Sequence, residues 1–131
     1  MIKRIYNFNT QLLNIPTGEP RLLEQKEFNW LNVALNEEIE ELKDAMAEQS
    51  IVGCVDSLLD LAYFSIGGCV RLGLTAEQIE ECFNTIHSAN MRKKMGVKET
   101  RPTDGSVADA IKPADWISPE TIMETIIFGE G

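Results

Sequence analysis

Glu37, Glu38, Glu40 and Glu41 crowd into the stretch Asn36-Glu37-Glu38-Ile39-Glu40-Glu41-Leu42-Lys43. Carboxylates this dense either solvate an outer helix face or turn partly inward and hold a hard cation through oxygen. A helix turns about 100° per residue, and the wheel separates the two uses. Leu31, Leu35, Glu38 and Leu42 share one narrow stripe, with Ala45 beside it. Glu41 and Ala34 flank that stripe, Glu37 sits further round, and Glu40 points away. Glu38 therefore stands where a core leucine belongs. An ionised carboxylate there is costly unless it is paired or binds a metal.

A second acidic pair follows. Asp56 and Asp60 are four apart and share a helix face among Val52, Val55, Leu58, Leu59 and Leu61. No basic residue precedes Arg71 in that segment. Asp56 alone is explicable as an early-turn residue favoured by the helix dipole. Asp60 lies too far along the helix for that.

Two antiparallel helices are needed to bring these pairs together. The pattern predicts the first over residues 21–49, with Pro20 at its first position. Ser50 is the N-cap of the next, over 51–72. At 1.5 Å per residue, Glu41 and Asp60 stand roughly level, about 14–15 Å from the turn, with Glu38 and Asp56 one turn to either side. All-oxygen ligands without His or Cys favour Mg²⁺ or Mn²⁺ over zinc or iron.

Mg²⁺ held by a few carboxylates usually works on substrate phosphates. A further helix, opened by the capping box Thr75-Ala76-Glu77-Gln78, places Ile79, Phe83 and Ile86 on its inner stripe. Continued, that stripe reaches Asn90, with Lys93 on its edge and Arg92 facing outward. Arg92-Lys93-Lys94 equally suits the negative end of the helix dipole. Gly73 stops the 51–72 helix. That helix is apolar nearly all round, which predicts the buried centre of the fold.

The remaining segments are simpler. Residues 2–14 form a short amphipathic piece with Ile5, Phe8 and Leu12 at helical spacing. Residues 100–115 read as loop, and Ser118-Pro119-Glu120 opens a last short helix over 121–128. No strand alternation stands out. Cys54, Cys69 and Cys82 fit neither a disulfide framework nor a zinc site and read as buried thiols of a reducing cytoplasm. His87 reads as a partly buried packing residue. Trp30, Tyr63, Phe64 and Trp116 serve either as packing or as stacking platforms for a base.

Composition sets the outer bounds. The chain has 131 residues, 44% hydrophobic and 25% charged, with a net charge of −9. That predicts one domain over residues 1–131, with a core of about 20–95 and a loop and short helix over 96–131. The acidic balance argues against a nucleic acid polymer as partner. The apolar run from Leu58 to Val70 reads as too short and too charged for a membrane span.

In this order, the motifs resemble those of the all-α nucleoside triphosphate pyrophosphohydrolases, the superfamily of MazG, dimeric dUTPases and phosphoribosyl-ATP pyrophosphohydrolase. Glu37-Glu38-Ile39-Glu40-Glu41 resembles its E-E-x-x-E half. Asp60-Leu61-Ala62-Tyr63 resembles its closing D-L-L-Y, and Asn90-Met91-Arg92-Lys93 its N-x-x-K. Asp104-Gly105 and Ile111-Lys112-Pro113 resemble its basic C-terminal loop. One position departs: Ser57 stands where the family has the Glu of E-x-x-D, and Asp56 is the adjacent substitute.

The resemblance implies an all-α fold with a four-helix-bundle core, assembled as a homodimer or homotetramer. It implies Mg²⁺-dependent conversion of a nucleoside triphosphate and water to the monophosphate and pyrophosphate. Glu38, Glu41, Asp56 and Asp60 would hold metal, Glu37 or Glu38 would act as base, and Asn90, Lys93 and Lys112 would hold phosphates. The other reading is a non-catalytic helical module that binds nucleotide, metal or a partner helix.

Overall fold

The computed structural model describes residues 1–96, 98 and 109–129. Among them the chain is all-α with one small hairpin. In chain order it forms α1 (Ile2–Asn7), a π-helical turn (Phe8–Leu12), α2 (Gln25–Ala47), α3 (Ile51–Arg71), α4 (Ala76–Asn90), β1 (Lys94–Gly96), β2 (Asp109–Ile111) and α5 (Glu120–Phe128). Asp104 and Gly105 lie outside the described residues.

The chain forms two compact units, Met1–Ile79 and Glu80–Gly131. The first is an α2–α3 hairpin with α1 laid on α3. Ile2 and Ile5 of α1 are buried, and the Phe8 ring meets Tyr63 edge-on at 5.3 Å. Past Asn7 the helix widens. Asn9 Nδ2 donates to Ile5 O at 2.8 Å and Thr10 Oγ1 to Tyr6 O at 2.9 Å, the back-bonding that loosens helices.

α2 begins at Gln25, later than the sequence predicts, and Pro20 is not its first residue. Glu24 is the N-cap, with a reciprocal box to Glu27. The preceding segment is committed elsewhere, since Arg21 N donates to Leu72 O at 2.8 Å. The α2–α3 turn matches expectation: Ser50 Oγ accepts from Gly53 N at 3.0 Å. Gly53 permits the tight crossing there, because a Cβ at this position would sit 2.9 Å from Ala45 Cβ. Gly73 ends the helix at φ +87°, a conformation that favours glycine.

α3 is not the buried centre that its composition predicts. α2 and α1 cover one side, where Ser57, Gly67, Gly68 and Val70 are buried. On the other side Ile51 and Val52 are each 80% exposed, and Val55, Leu58 and Leu59 are exposed too. A hairpin with one short flanking helix cannot wrap a helix that is apolar all round. The apolar run also extends back beyond Leu58 to Ile51. The resulting 21-residue helix, which contains an 18-residue stretch at a mean hydropathy of 1.4, is long and apolar enough by length and composition to cross a membrane.

The capping box of α4 forms as expected, with Gln78 N donating to Thr75 Oγ1 at 3.1 Å and Gln78 Oε1 accepting from Thr75 N at 2.9 Å. Its inner face holds for Ile79 and differs from expectation beyond it. Ala76, Ile79, Cys82 and Ala89 are buried, whereas Phe83 is 51% exposed and Ile86, His87 and Asn90 are exposed. The bulky residues suggested one stripe, but small residues at the same 3–4 spacing occupy the buried one. His87 is thus a surface residue.

Among the described residues no disulfide forms; Cys82 is buried and Cys54 and Cys69 are half-buried. The two strands escaped the sequence reading because each is three residues long and too short for alternation to register. They pair antiparallel with Lys94 opposite Ile111 and Gly96 opposite Asp109.

Candidate active site

Two glutamates are buried on the same face of α2, and their surroundings differ completely. Glu27 is neutralised from within the chain. Its carboxylate accepts from Arg21 at 2.7 and 3.0 Å, from Arg71 at 3.2 Å and from Glu24 N at 2.9 Å. The Arg21 hydrogen bond leads in holding its pKa down to about 2, against the desolvation of burial. Arg71 lies over the Trp30 ring at 4.5 Å, and Trp30 meets Phe64 edge-on at 5.8 Å. Trp30 and Phe64 are therefore packing residues here. This ion-pair cluster was missed in the sequence, although the Glu24-x-x-Glu27 spacing at a helix start is a capping signal.

Glu38, eleven residues further along the same face, has no ion-pair partner among the described residues. It is 9% exposed, and its Oε2 is buried without a hydrogen-bond partner. Burial is the first cause raising its pKa to about 7, followed by the Glu41 carboxyl within hydrogen-bonding reach and by the charges of Asp60 and Asp56. Two carboxyls can share a hydrogen bond only when one is protonated. Glu41 from the same helix, and Asp60 and Asp56 from across the α2–α3 hairpin, thus all act on Glu38.

Their depths are unequal. Glu38 is buried and Asp60 half-buried, while Glu41, Asp56 and Glu37 are exposed. The expectation that all four point inward holds for Glu38 and partly for Asp60. Ser57 is 2% exposed and occupies the interior position that Asp56 does not. Glu40 faces out as expected and pairs with Lys43 at 2.9 Å.

The donor set suits a hard divalent cation: carboxylate oxygens only, one of them buried and unsatisfied. Among the described residues no three such side chains stand together as a ready cage. Like charges repel when nothing lies between them, so an open arrangement is the expected resting state of such a set.

In the second unit, Arg92 lies 6.0 Å, Lys93 5.3 Å and Lys112 5.7 Å from the Trp116 ring centroid. Lys93 and Lys112 are thus brought together, and Arg92, exposed as expected, lies near the same ring. Sequence reasoning missed Arg92 and Trp116. Their meeting depends on the short hairpin, which carries no readable signal. Asn90 is exposed.

A sequence model of the phosphoribosyl-ATP pyrophosphohydrolase family matches residues 7–90 of the chain. That span contains both acidic pairs and Asn90, and it ends before Arg92, Lys112 and Trp116. Among curated proteins none matches.

Proposed function

The chain belongs to the phosphoribosyl-ATP pyrophosphohydrolase family, hydrolases of phosphoric anhydride bonds in nucleotide-like substrates, and from that premise we propose a specific reaction. The protein hydrolyses the α–β anhydride of a nucleoside triphosphate, or of a nucleotide that carries a triphosphate, to the monophosphate and pyrophosphate. Mg²⁺ or Mn²⁺ would be held by Glu38, Glu41 and Asp60, with Asp56 in place of the family's missing Glu.

The supporting observation is the buried, partnerless Oε2 of Glu38 beside three further acids. Glu27 shows what this chain does with a buried carboxylate that its own residues must neutralise. Glu38 lacks any such provision and stands ready for a cation from outside. When bound there, the ion would offset charge on the pyrophosphate leaving group and would lower the pKa of the attacking water.

Glu38 orients that water from the buried side. Glu37 lies on the exposed side, one helical turn before Glu41, and takes up the proton. Asn90, Lys93 and Lys112 are the phosphate contacts of this reading. A second copy of the chain covers the outer face of α3, giving a homodimer or a dimer of dimers.

The test is pyrophosphate release from a nucleotide panel that includes dUTP, dCTP, the purine triphosphates and phosphoribosyl-ATP, with Mg²⁺ and with EDTA. Monophosphate and pyrophosphate should appear only with the metal. Diphosphate plus inorganic phosphate, or full turnover in EDTA, would overturn the mechanism.

A further inference from the structure

Tyr63 stands apart from the other aromatic residues. Trp30 carries Arg71 over its ring and packs on Phe64, and Trp116 lies among three cations. Among the described residues no cation lies over the Tyr63 ring or over Phe8, its edge-on partner at 5.3 Å. Each of the two is 37% exposed. Their planes meet at 81°, so the ring that offers its edge keeps both faces clear of the other. The pair forms an open corner, with room for a third flat ring.

The fold sets this corner beside the acids. On α3, Tyr63 stands about 20° round the axis from Asp56 and about 60° from Asp60, close to one turn further along. Gly67, about 20° from Asp60 by the same count, is where α1 lands. A Cβ there would meet Asn9 Nδ2 at 3.2 Å and Oδ1 at 3.3 Å. α1 therefore crosses the side of α3 that carries both aspartates, just past them. Its π-helical turn starts at Phe8, and Asn9 takes the buried position after Ile5. Phe8 is left at the rim, over Tyr63. Such widened turns recur at functional sites.

We infer that Phe8 and Tyr63 form the platform on which the nucleobase of the substrate stacks. The inference rests on the reaction proposed above and adds the part of the substrate that the acids do not touch. One sugar ring separates the α-phosphate from its base, and three residues of helix, about 4.5 Å of rise, separate Asp60 from Tyr63. Phe8 has no polar side-chain atom, and Tyr63 has only its hydroxyl. Recognition is therefore by the π face, which every base presents. Two-ring bases, with the larger face, bind ahead of one-ring bases, and a polyphosphate without a base has nothing to stack.

The probes are α,β-methylene-ATP, α,β-methylene-UTP and inorganic tripolyphosphate, each titrated with Mg²⁺ and followed by calorimetry. The methylene bridge replaces the anhydride oxygen, so binding is measured without cleavage. The wild type should bind the ATP analogue most tightly, the UTP analogue next and tripolyphosphate least. Phe8→Leu keeps apolar bulk on α1 and removes the ring. It should weaken the ATP analogue about tenfold, the scale of one lost stack, narrow the gap to the UTP analogue, and leave tripolyphosphate unchanged. Tyr63→Leu should do the same, and Tyr63→Phe should stay near wild type. The Tyr63 pair decides the matter if Phe8→Leu loses its helical circular dichroism.

A wild type that binds the ATP analogue no better than tripolyphosphate overturns the inference. So do leucine variants that bind the analogue as the wild type does, or that lose tripolyphosphate in equal measure. Pyrophosphate release from unmodified nucleotides by the wild type separates the two proposals. Release with an unchanged KM in both leucine variants sinks the platform alone. Base-dependent binding of the analogues without release sinks the reaction and leaves the platform standing.

Discussion

Glu27 and Glu38 make a matched pair, the same residue type buried on the same helix face, so the same substitution should act with opposite sign. Glu27→Gln leaves the half-buried Arg71 opposite a neutral group and removes two charge-assisted contacts from Arg21. Breaking such a buried pair costs about 3 kcal/mol, visible as a lower urea midpoint at pH 7. Glu38→Gln removes a charge with no partner and should raise the midpoint of the metal-free protein.

The sign follows from linkage. Glu38 titrates near 7 in the folded chain, above its ordinary value of 4.5. The folded state therefore holds the proton more tightly, and stability falls as pH rises from about 4.5 to 7. The advantage of Glu38→Gln should accordingly be small at pH 5 and full at pH 8. Mg²⁺ should stabilise the wild type at pH 8 and the variant much less. A variant gain that is flat between pH 5 and pH 8 would show that Glu38 is not the strained carboxyl. Glu27 behaves inversely: its contribution is present above pH 4.5 and is lost as pH falls toward about 2.

At the scale of elements, the α2–α3 hairpin was legible because its signals are strong and local. Ser50 caps, Gly73 stops, and the wheel sets Glu38 inside and Glu40 outside. Legibility failed where a face is chosen by what packs on it. In α4, Phe83 and Ile86 carried the hydrophobic signal, yet Ala76, Cys82 and Ala89 fill the tight side. In α3, apolarity all round implied burial, but burial needs enough surrounding chain.

The same limit touches the proposed metal site. Spacing placed Asp56 and Asp60 on one face, while the depth of each depends on how α2 lies against α3. Asp56 is exposed yet close enough to act on Glu38, and Ser57 is buried but brings no charge. Magnesium binding rewards anionic oxygen over proximity. Asp56→Asn should therefore move the Mg²⁺ dependence of pyrophosphate release to roughly tenfold higher concentration, with Ser57→Ala much nearer wild type. Equal titrations for wild type and Asp56→Asn would remove Asp56 from the ligand set.

For the whole molecule, the outer face of α3 asks what covers it. A stable interface takes about 800 Å² from each partner. A helix of this length is about 31 Å long and 10 Å wide, so its face alone falls short, and a neighbouring element must contribute. Met46 of α2 supplies a start. It is exposed and lines an apolar cavity of about 450 Å³ together with Ile51, Cys54, Val55 and Leu58. A second copy seated on this surface would bury the cavity without touching Glu38 from the inside.

Ile51 gives a clean test of that arrangement. It lies in the first turn of α3, nine residues from Asp60, and is 80% exposed. Ile51→Glu places a negative charge where the helix dipole favours it, so the isolated fold should lose nothing. The same charge would be stranded in an apolar interface. Wild type should sediment as a dimer or tetramer of a 14.7 kDa chain, and Ile51→Glu should shift toward monomer at micromolar concentration with unchanged helical circular dichroism. A wild type that is monomeric at that concentration, or a variant that keeps the wild-type assembly, would place the contact on another face and leave the apolar side of α3 to a different partner.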